Sequence, residues 1–452
     1  ALGESDWVFR LVPLLAGGGS LVVAGLIGCR VFRRPGARAL FLALLGLSPV
    51  LVYYSSEFKQ YAVDVLVMLA MIWAALRFSL DRPAEGAWWL AGIGAVGIWL
   101  SHPSVFVLAA VGTVLGLESC MRRRWPAVGW RVLVGSVWAS SFAASYALSL
   151  RALSGNSVLG GFWTHAYAPW PPVGTDEWRW YLDSALGLVY LALRHEGIAH
   201  HLTEPGWWDA VNWALFALTV AGLAAMARSK PRLAAILVLA VAVTVAASAL
   251  HLYPFRSRLI LFLVPVVPLA LAFVLEAWLD RASGWLRRGV AVAAVAGLLL
   301  VPGVPAARHW RHPYNLADIK SAMAHVREHR QDGDHVMMST WTQKAFDFYR
   351  VSFRLDGLEV FAFRQTPNTR HDAFSTLRRI CQSTPGGRTW LLISHRFEQR
   401  HELLQMLRSE GPVLNAFEGD GAGAYLFDFS GSPYCLRYRP AGSGVSRSGQ
   451  AS

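Results

Sequence analysis

The sequence predicts an α-helical polytopic membrane protein with about ten spans, followed by a small soluble α/β domain at the C-terminus. Three observations lead there. Hydrophobic residues make up 54% of the 452 positions and charged residues only 16%, against about 25% charged in ordinary soluble domains. Mean hydropathy is positive, at +0.36. The chain also carries 20 Trp, the residue that favours the membrane–water interface.

A helix needs about 20 apolar residues to cross a bilayer. Runs near that length fall at 11–29, 39–54, 61–78, 87–101, 104–120, 131–150, 208–227, 233–251, 259–279 and 289–304. The fourth and fifth are separated only by Ser101, His102 and Pro103, and charge decides how to read that break. If Ser101–Pro103 is a true turn, the outer short loops carry only Arg10, Lys59, Arg256 and Arg258. The remaining loop cations, among them Arg122, Arg123 and Arg124, then fall inside, a bias of roughly four to one. Fusing the two runs would invert every later loop and place the Arg triplet outside. The expectation is therefore a separate turn at Ser101–Pro103 and both chain ends on the outer face.

Two regions are not spans. Residues 151–207 form an outer loop rich in Trp, Pro, Gly and His, in which Trp178–Leu193 has the period of an interfacial amphipathic helix. Together with the spans they make one domain, 1–305. From 306 to 440 the composition turns soluble. Leu316, Ile319, Met323 and Val326 form a helical stripe within Asn315–Arg330. Strands are expected from about His335, at Thr389–Phe397 and at Gly423–Ser430, with helices near 371–383 and 398–409. Alternating helices and strands indicate a small α/β domain. Residues 441–452 are low-complexity and read as a disordered tail. Cys29 and Cys120 lie in or beside apolar runs, whereas Cys381 and Cys435 both fall in the C-terminal region and can pair in an oxidising compartment.

The net charge of +13 does not indicate a nucleic-acid partner. The Arg residues sit in short clusters between apolar runs and build no basic domain. No phosphate-binding Gly-rich loop and no GxSxG elbow is present, which argues against a nucleotide-driven pump and a lipase-type hydrolase. The His and Glu residues of His395–His401 and Arg194–His201 lack metal-site spacing, so no metal ligands are assigned.

The informative polar residues stand at outer helix ends. Glu57, Lys59 and Tyr61 follow the Tyr53–Tyr54 pair; they read either as helix caps and interfacial anchors or as a binding site. Tyr253, Arg256 and Arg258 lie in HLYPFRSR, where two Arg run against the charge bias. A guanidinium suits a phosphate group through its planar fork, although random contact with lipid headgroups would also place Arg there. His102 is either structural or holds a hydroxyl or proton beside a cavity. Glu4 and Asp6 precede the first span and serve as helix caps or as a base.

Four segments together resemble a family. GESDWVFRLVPLLAGG, YYSSEFKQYAVDVLVMLA, LSHPSVFVLAAVG and LYPFRSRLILFLVPVVPLALA are similar, in this order, to segments of the GT-C membrane glycosyltransferases. The likeness is to their protein-mannosyltransferase-like group, which includes lipid A aminoarabinose transferases and rhizobial lipopolysaccharide glycosyltransferases. Glu57 is kept, Lys59 stands where Arg is common and Gln60 where Pro is common, while Arg258 takes the family's Arg position. The resemblance covers about residues 1–305. It implies a bacterial inner-membrane enzyme with an extracytoplasmic, periplasmic C-terminal domain. Such an enzyme moves a sugar from a polyprenyl-phosphate carrier to a lipid, glycan or protein acceptor.

The same resemblance implies substrate binding by Glu57, Lys59, Tyr61, His102, Tyr253, Arg256 and Arg258, and leaves a divalent metal ion open as cofactor. The family's first helix and the acidic residue of its first outer loop would lie before Ala1. The catalytic residue is thus unassigned, with Glu4 and Asp6 as substitutes. Two other classes stay open at this level: a transporter or flippase of lipid-linked sugars, and a non-catalytic membrane scaffold. Transporters place ionisable residues at mid-span. Here Asp64 is close to a helix start and the other spans are nearly free of charge, which favours a surface-facing enzyme.

Overall fold

The computed structural model describes residues 6–151, 163–194, 207–281, 285–311, 318–364, 369–383, 387–394 and 400–438. It divides into two compact units, 1–311 and 312–452. In the first, every apolar run becomes a helix: α1 (Asp6–Val31), α2 (Pro35–Gly46), α3 (Pro49–Ser56), α4 (Tyr61–Arg77), α5 (Pro83–Leu100), α6 (Ser104–Met121) and α7 (Trp125–Ser145). The helix expected within the 151–207 region is α8 (Thr175–Leu193). It is followed by α9 (Trp207–Ser229), α10 (Pro231–Ala249), the 3-10 segment Ser257–Leu263, α11 (Val266–Arg281) and α12 (Trp285–Arg311).

Proline sets several of these boundaries. It occupies the first turn of α2, α3, α5, α7 and α10, where its missing N–H costs nothing and its fixed φ suits a helix. Pro49 also separates α2 from α3, which meet at 52°, and Pro265 separates the 3-10 segment from α11, which meet at 44°. Among the described residues six helices are long and apolar enough to cross a membrane, or eight if each bent pair is one span. The expected count of about ten is not reached by this measure. α4 has only 17 residues, and α5 dilutes its apolar content with Gly and Trp. The chain is an integral membrane protein with this helical core.

Contacts sort the helix ends into two sets. At one end Arg34 of the α1–α2 turn meets Asp280 of α11 at 2.9 Å. At that same end of the alternating helices, Arg232 of α10 meets Glu118 of α6 at 2.8 Å and Arg124 meets Asp81 at 3.4 Å. The other end holds the α3–α4 turn, Ser101–Pro103, α8 and the loop after α10. Ser101–Pro103 is a real break: α5 stops at Leu100 and α6 starts at Ser104.

Small residues and hydroxyls let the helices approach. Gly222 of α9 lies against the Ala270 carbonyl of α11, where any Cβ would collide with the oxygen. Trp138 of α7 donates to the Leu90 carbonyl of α5 at 2.9 Å, and Ser141 donates to Ala95 at 2.8 Å.

The second unit holds α13 (Ile319–His329), β1 (His335–Ser339), α14 (Thr340–Tyr349), β2 (Glu359–Phe363) and α15 (Thr369–Ser383). It continues with β3 (Arg388–Ser394), α16 (Arg400–Glu410), β4 (Val413–Gly419), β5 (Ala422–Asp428) and α17 (Pro433–Tyr438). The sheet order is β2-β1-β3-β5-β4; β1 runs parallel to β2 and β3, and β5 runs antiparallel to β3 and β4. Side chains alternate between two cores. Met337, Leu391, Ile393 and Phe427 face α15 and α16, while Val336, Met338, Trp390 and Leu426 face α13 and α14. Covered on both faces, β1 and β3 are buried at almost every position, with Val336–Met338 and Trp390–Ile393 as their apolar centres. Cys381 and Cys435 form a disulfide between α15 and α17, with Cα atoms 5.0 Å apart. The expected tail, 441–452, lies outside the described residues.

Candidate functional site

The cluster grows from the break between α3 and α4. Glu57 ends α3 in an extended conformation and its carbonyl accepts from the Lys59 amide at 2.7 Å. That tight local turn leaves Lys59 exposed. Behind it Tyr53, Tyr54 and Tyr61 form an edge-to-face chain, with ring centroids 5.0 and 4.9 Å apart. Tyr53 continues it to His309 of α12 at 6.0 Å. Tyr53 and Tyr54 are buried, so they are packing residues inside the helical unit rather than headgroup anchors.

One turn into α4, Asp64 is only 3% exposed, and its carboxylate faces the Ser101 side chain at the start of the α5–α6 turn. Tyr253 comes down onto this pair from the loop after α10. Its ring meets Phe106 at 5.0 Å and its hydroxyl donates to the Leu259 carbonyl at 2.8 Å. Burial pushes the Tyr253 phenol up, and the nearby Asp64 charge adds to the effect. His102, two residues from the α6 start, is exposed.

The HLYPFRSR loop is held by its own backbone and by residues 163–169. His251 and Ser257 flank it with positive φ of 57° and 54°, a conformation that non-glycine residues adopt at a cost and that clusters at functional sites. The Phe255 amide donates to the Ala166 carbonyl at 2.9 Å. The Ala168 amide donates to Ser248 Oγ at 2.9 Å. His251 lies on Tyr167 at 4.9 Å, and the Arg258 guanidinium lies over the Trp163 ring at 5.7 Å. Burial and the adjacent Arg256 charge hold the His165 imidazole below its usual value.

Beside this loop opens a cavity of about 490 Å³. α8 contributes Trp180, Asp183 and Tyr190; α9 contributes Asp209, Asn212 and Trp213; the loop contributes Phe255, Arg256 and Ser257. At the start of α8, Glu177 accepts from the Gly174 amide at 2.8 Å, the backbone-directed half of a capping box. Tyr181 donates to the Pro169 carbonyl at 2.7 Å. Asp183 is paired with Arg179 at 3.6 Å.

Of the sequence-predicted residues, Arg256 alone lines this cavity. Tyr61 and Tyr253 stand together around Asp64, Arg258 sits on the 163–169 segment, and Glu57, Lys59 and His102 occupy turns at the same end of the helices. Glu4 lies outside the described residues, and Asp6 opens α1 with no described side chain. Sequence reasoning missed Asp183, Asp209 and Asn212, because a carboxylate or amide near an aromatic helix end gives no motif. Among the described residues no three His, Cys, Asp or Glu side chains gather to hold a metal ion, so no step is assigned to one.

The chain also has a structural counterpart. It aligns with the crystal structure of ArnT from Cupriavidus metallidurans bound to undecaprenyl phosphate, over 95% of this chain and 85% of that one, at a TM-score of 0.50. The fold is GT-C-like. Sequence identity in that alignment is 13%, so the likeness is one of fold. ArnT from the same organism in the apo state aligns over 92% and 83% at 12% identity and a TM-score of 0.49. No protein-family model and no curated protein sequence matches the chain.

Proposed function

We propose that the chain is a membrane glycosyltransferase that takes a sugar from a polyprenyl-phosphate carrier and adds it to an acceptor at the outer face. The acceptor is a lipid, glycan or protein of the cell envelope. The fold shared with an ArnT structure that holds undecaprenyl phosphate is the observation that carries this reading. Supporting it, cations that defy the charge bias (Lys59, Arg256 and Arg258) lie at one end of the helices, where Arg256 lines a cavity.

The chemistry follows from the carrier. As the bond from the sugar's anomeric carbon to the phosphate oxygen breaks, negative charge grows on the departing polyprenyl phosphate. Fixed cations at that point stabilise the charge more in the transition state than in the ground state. Lys59 and Arg258 take that role in this reading, and Arg256 presents a further cation to the cavity. The attacking acceptor hydroxyl forms the new bond and releases a proton, which a carboxylate accepts. Aromatic walls from Trp180, Trp213 and Tyr190 suit the C–H face of a sugar ring.

The test is sugar transfer from a radiolabelled polyprenyl-phosphate sugar by the membrane-inserted protein. Lys59→Ala and Arg258→Ala are each expected to lower the rate by about 100-fold or more, with insertion unchanged. Wild-type turnover by both variants would overturn the reading.

A further inference from the structure

At the end of the helices opposite the cavity, a second group of charges meets inside the bundle. Phe78, Glu118, Arg131 and Arg232 come from the end of α4, the end of α6, the start of α7 and the start of α10. Arg232 is fully engaged there. Its Nη1 donates to the Phe78 carbonyl at 2.7 Å, while Nη2 and Nε reach the two Glu118 oxygens at 2.9 and 2.8 Å. Arg122 makes a further contact with the same carboxylate at 3.6 Å. One carboxylate is therefore shared by two guanidinium groups before Arg131 is considered.

Arg131 is left over. Its guanidinium carbon lies 4.5 Å from the centroid of the Phe78 ring, and all three of its nitrogens are shielded from solvent. Among the described residues none of the three has a hydrogen-bond partner. The aromatic face stabilises the charge but accepts no hydrogen bond. Arg131 also sits within the apolar stretch Trp125–Ser149, where the alternative to a protein partner is hydrocarbon. Glu118 is near enough to act on this charge, but its oxygens are taken up by Arg232. A guanidinium with no acceptor in such a place calls for a further anion.

Phe78 is fixed in part by its neighbour on α5. Its backbone packs against Gly86 of α5 so closely that a Cβ at Gly86 would stand 2.6 Å from the Phe78 Cα. The cluster is thus a set of donors with surplus positive charge at this end of the helices, and Arg122 is its exposed member.

We propose that Arg131, with Arg122 and Arg232 beside it, binds the phosphate of an anionic lipid headgroup between α6, α7 and α10. A phosphate diester offers two oxygens to the planar fork of a guanidinium, and basic recesses between membrane helices are sites of this kind. The inference does not depend on the sugar-transfer reading, since it concerns the opposite end of the helices.

The experiment uses the full chain in nanodiscs of mixed phosphatidylglycerol and phosphatidylcholine, with retained lipids counted by native mass spectrometry. Wild type is expected to retain phosphatidylglycerol about tenfold above its share of the bilayer. Arg131→Gln should retain both lipids in their bulk ratio, and Arg131→Lys should fall between the two. Arg34→Gln, which removes an exposed pair with Asp280 elsewhere, should match wild type. A second arm adds inorganic phosphate to protein in phosphatidylcholine alone. Thermal stabilisation of wild type, absent in Arg131→Gln, supports the phosphate site and assigns its occupant to a free anion. Should Arg131→Gln fail to insert, the wild-type arms decide alone. Wild type that neither selects phosphatidylglycerol nor responds to phosphate overturns the proposal, as does equal selectivity in wild type and Arg131→Gln.

Discussion

Asp209 is the carboxylate that best separates the roles around the cavity. Asp183 lines the same space but shares its charge with Arg179, and Asp64 is sealed beneath Tyr253 and Ser101. In the sugar-transfer reading Asp209→Asn is expected to lower kcat by about 100-fold, with KM for the carrier nearly unchanged. Arg256→Ala should act in the opposite sense, raising that KM by about tenfold through loss of a charged contact. Steady-state kinetics with varied carrier concentration distinguishes the two; a rise in KM for Asp209→Asn would remove it from the role of base. Arg256 could be picked out beforehand because an Arg in an outer loop defies charge bias. Asp209 could not, since one Asp at a helix start reads as a cap for the helix dipole.

At the scale of single elements, hydropathy located the helices and their partners decided their detail. Gly222 illustrates the difference. In the sequence it is one small residue in a long apolar run; in the structure it is where α9 and α11 bring their backbones together. Gly222→Ala is expected to destabilise the folded membrane protein by about 1–3 kcal/mol, read as a drop in midpoint on thermal unfolding in detergent. Gly289 meets nothing within 4 Å, so Gly289→Ala should leave the midpoint unchanged or raised. In the soluble unit, β1, β3 and β5 were legible as apolar runs because both faces are covered. The edge strands β2 and β4 were not. Exposed and half-buried positions alternate along β4, and a register shift interrupts it between Val413 and Asn415.

For the whole molecule, the disulfide offers a test of the soluble unit. Cys381 and Cys435 are 54 residues apart, and closing a loop of that length stabilises a domain by about 2–4 kcal/mol. Cys381→Ser should lower the thermal midpoint of that unit, and a reducing agent should lower wild type to the same value. No shift on reduction would show that the bridge contributes nothing.

The sequence by itself determined the helical membrane class, the place of each helix, the break at Ser101–Pro103 and the α/β character of the C-terminal unit. These follow from hydrophobic periodicity and proline, which act over neighbouring residues. It also marked Lys59, Arg256 and Arg258, because charge bias across loops is a one-dimensional property. Only the tertiary structure decided which polar groups share a space. Tyr61, Asp64, Ser101 and Tyr253 meet from three separate segments, Asp183 and Asp209 join Arg256 at one cavity, and Arg131 is stranded beside a carboxylate already taken. Each depends on helix rotation and packing distance, and those are set by shape-matched contacts between segments far apart in the chain.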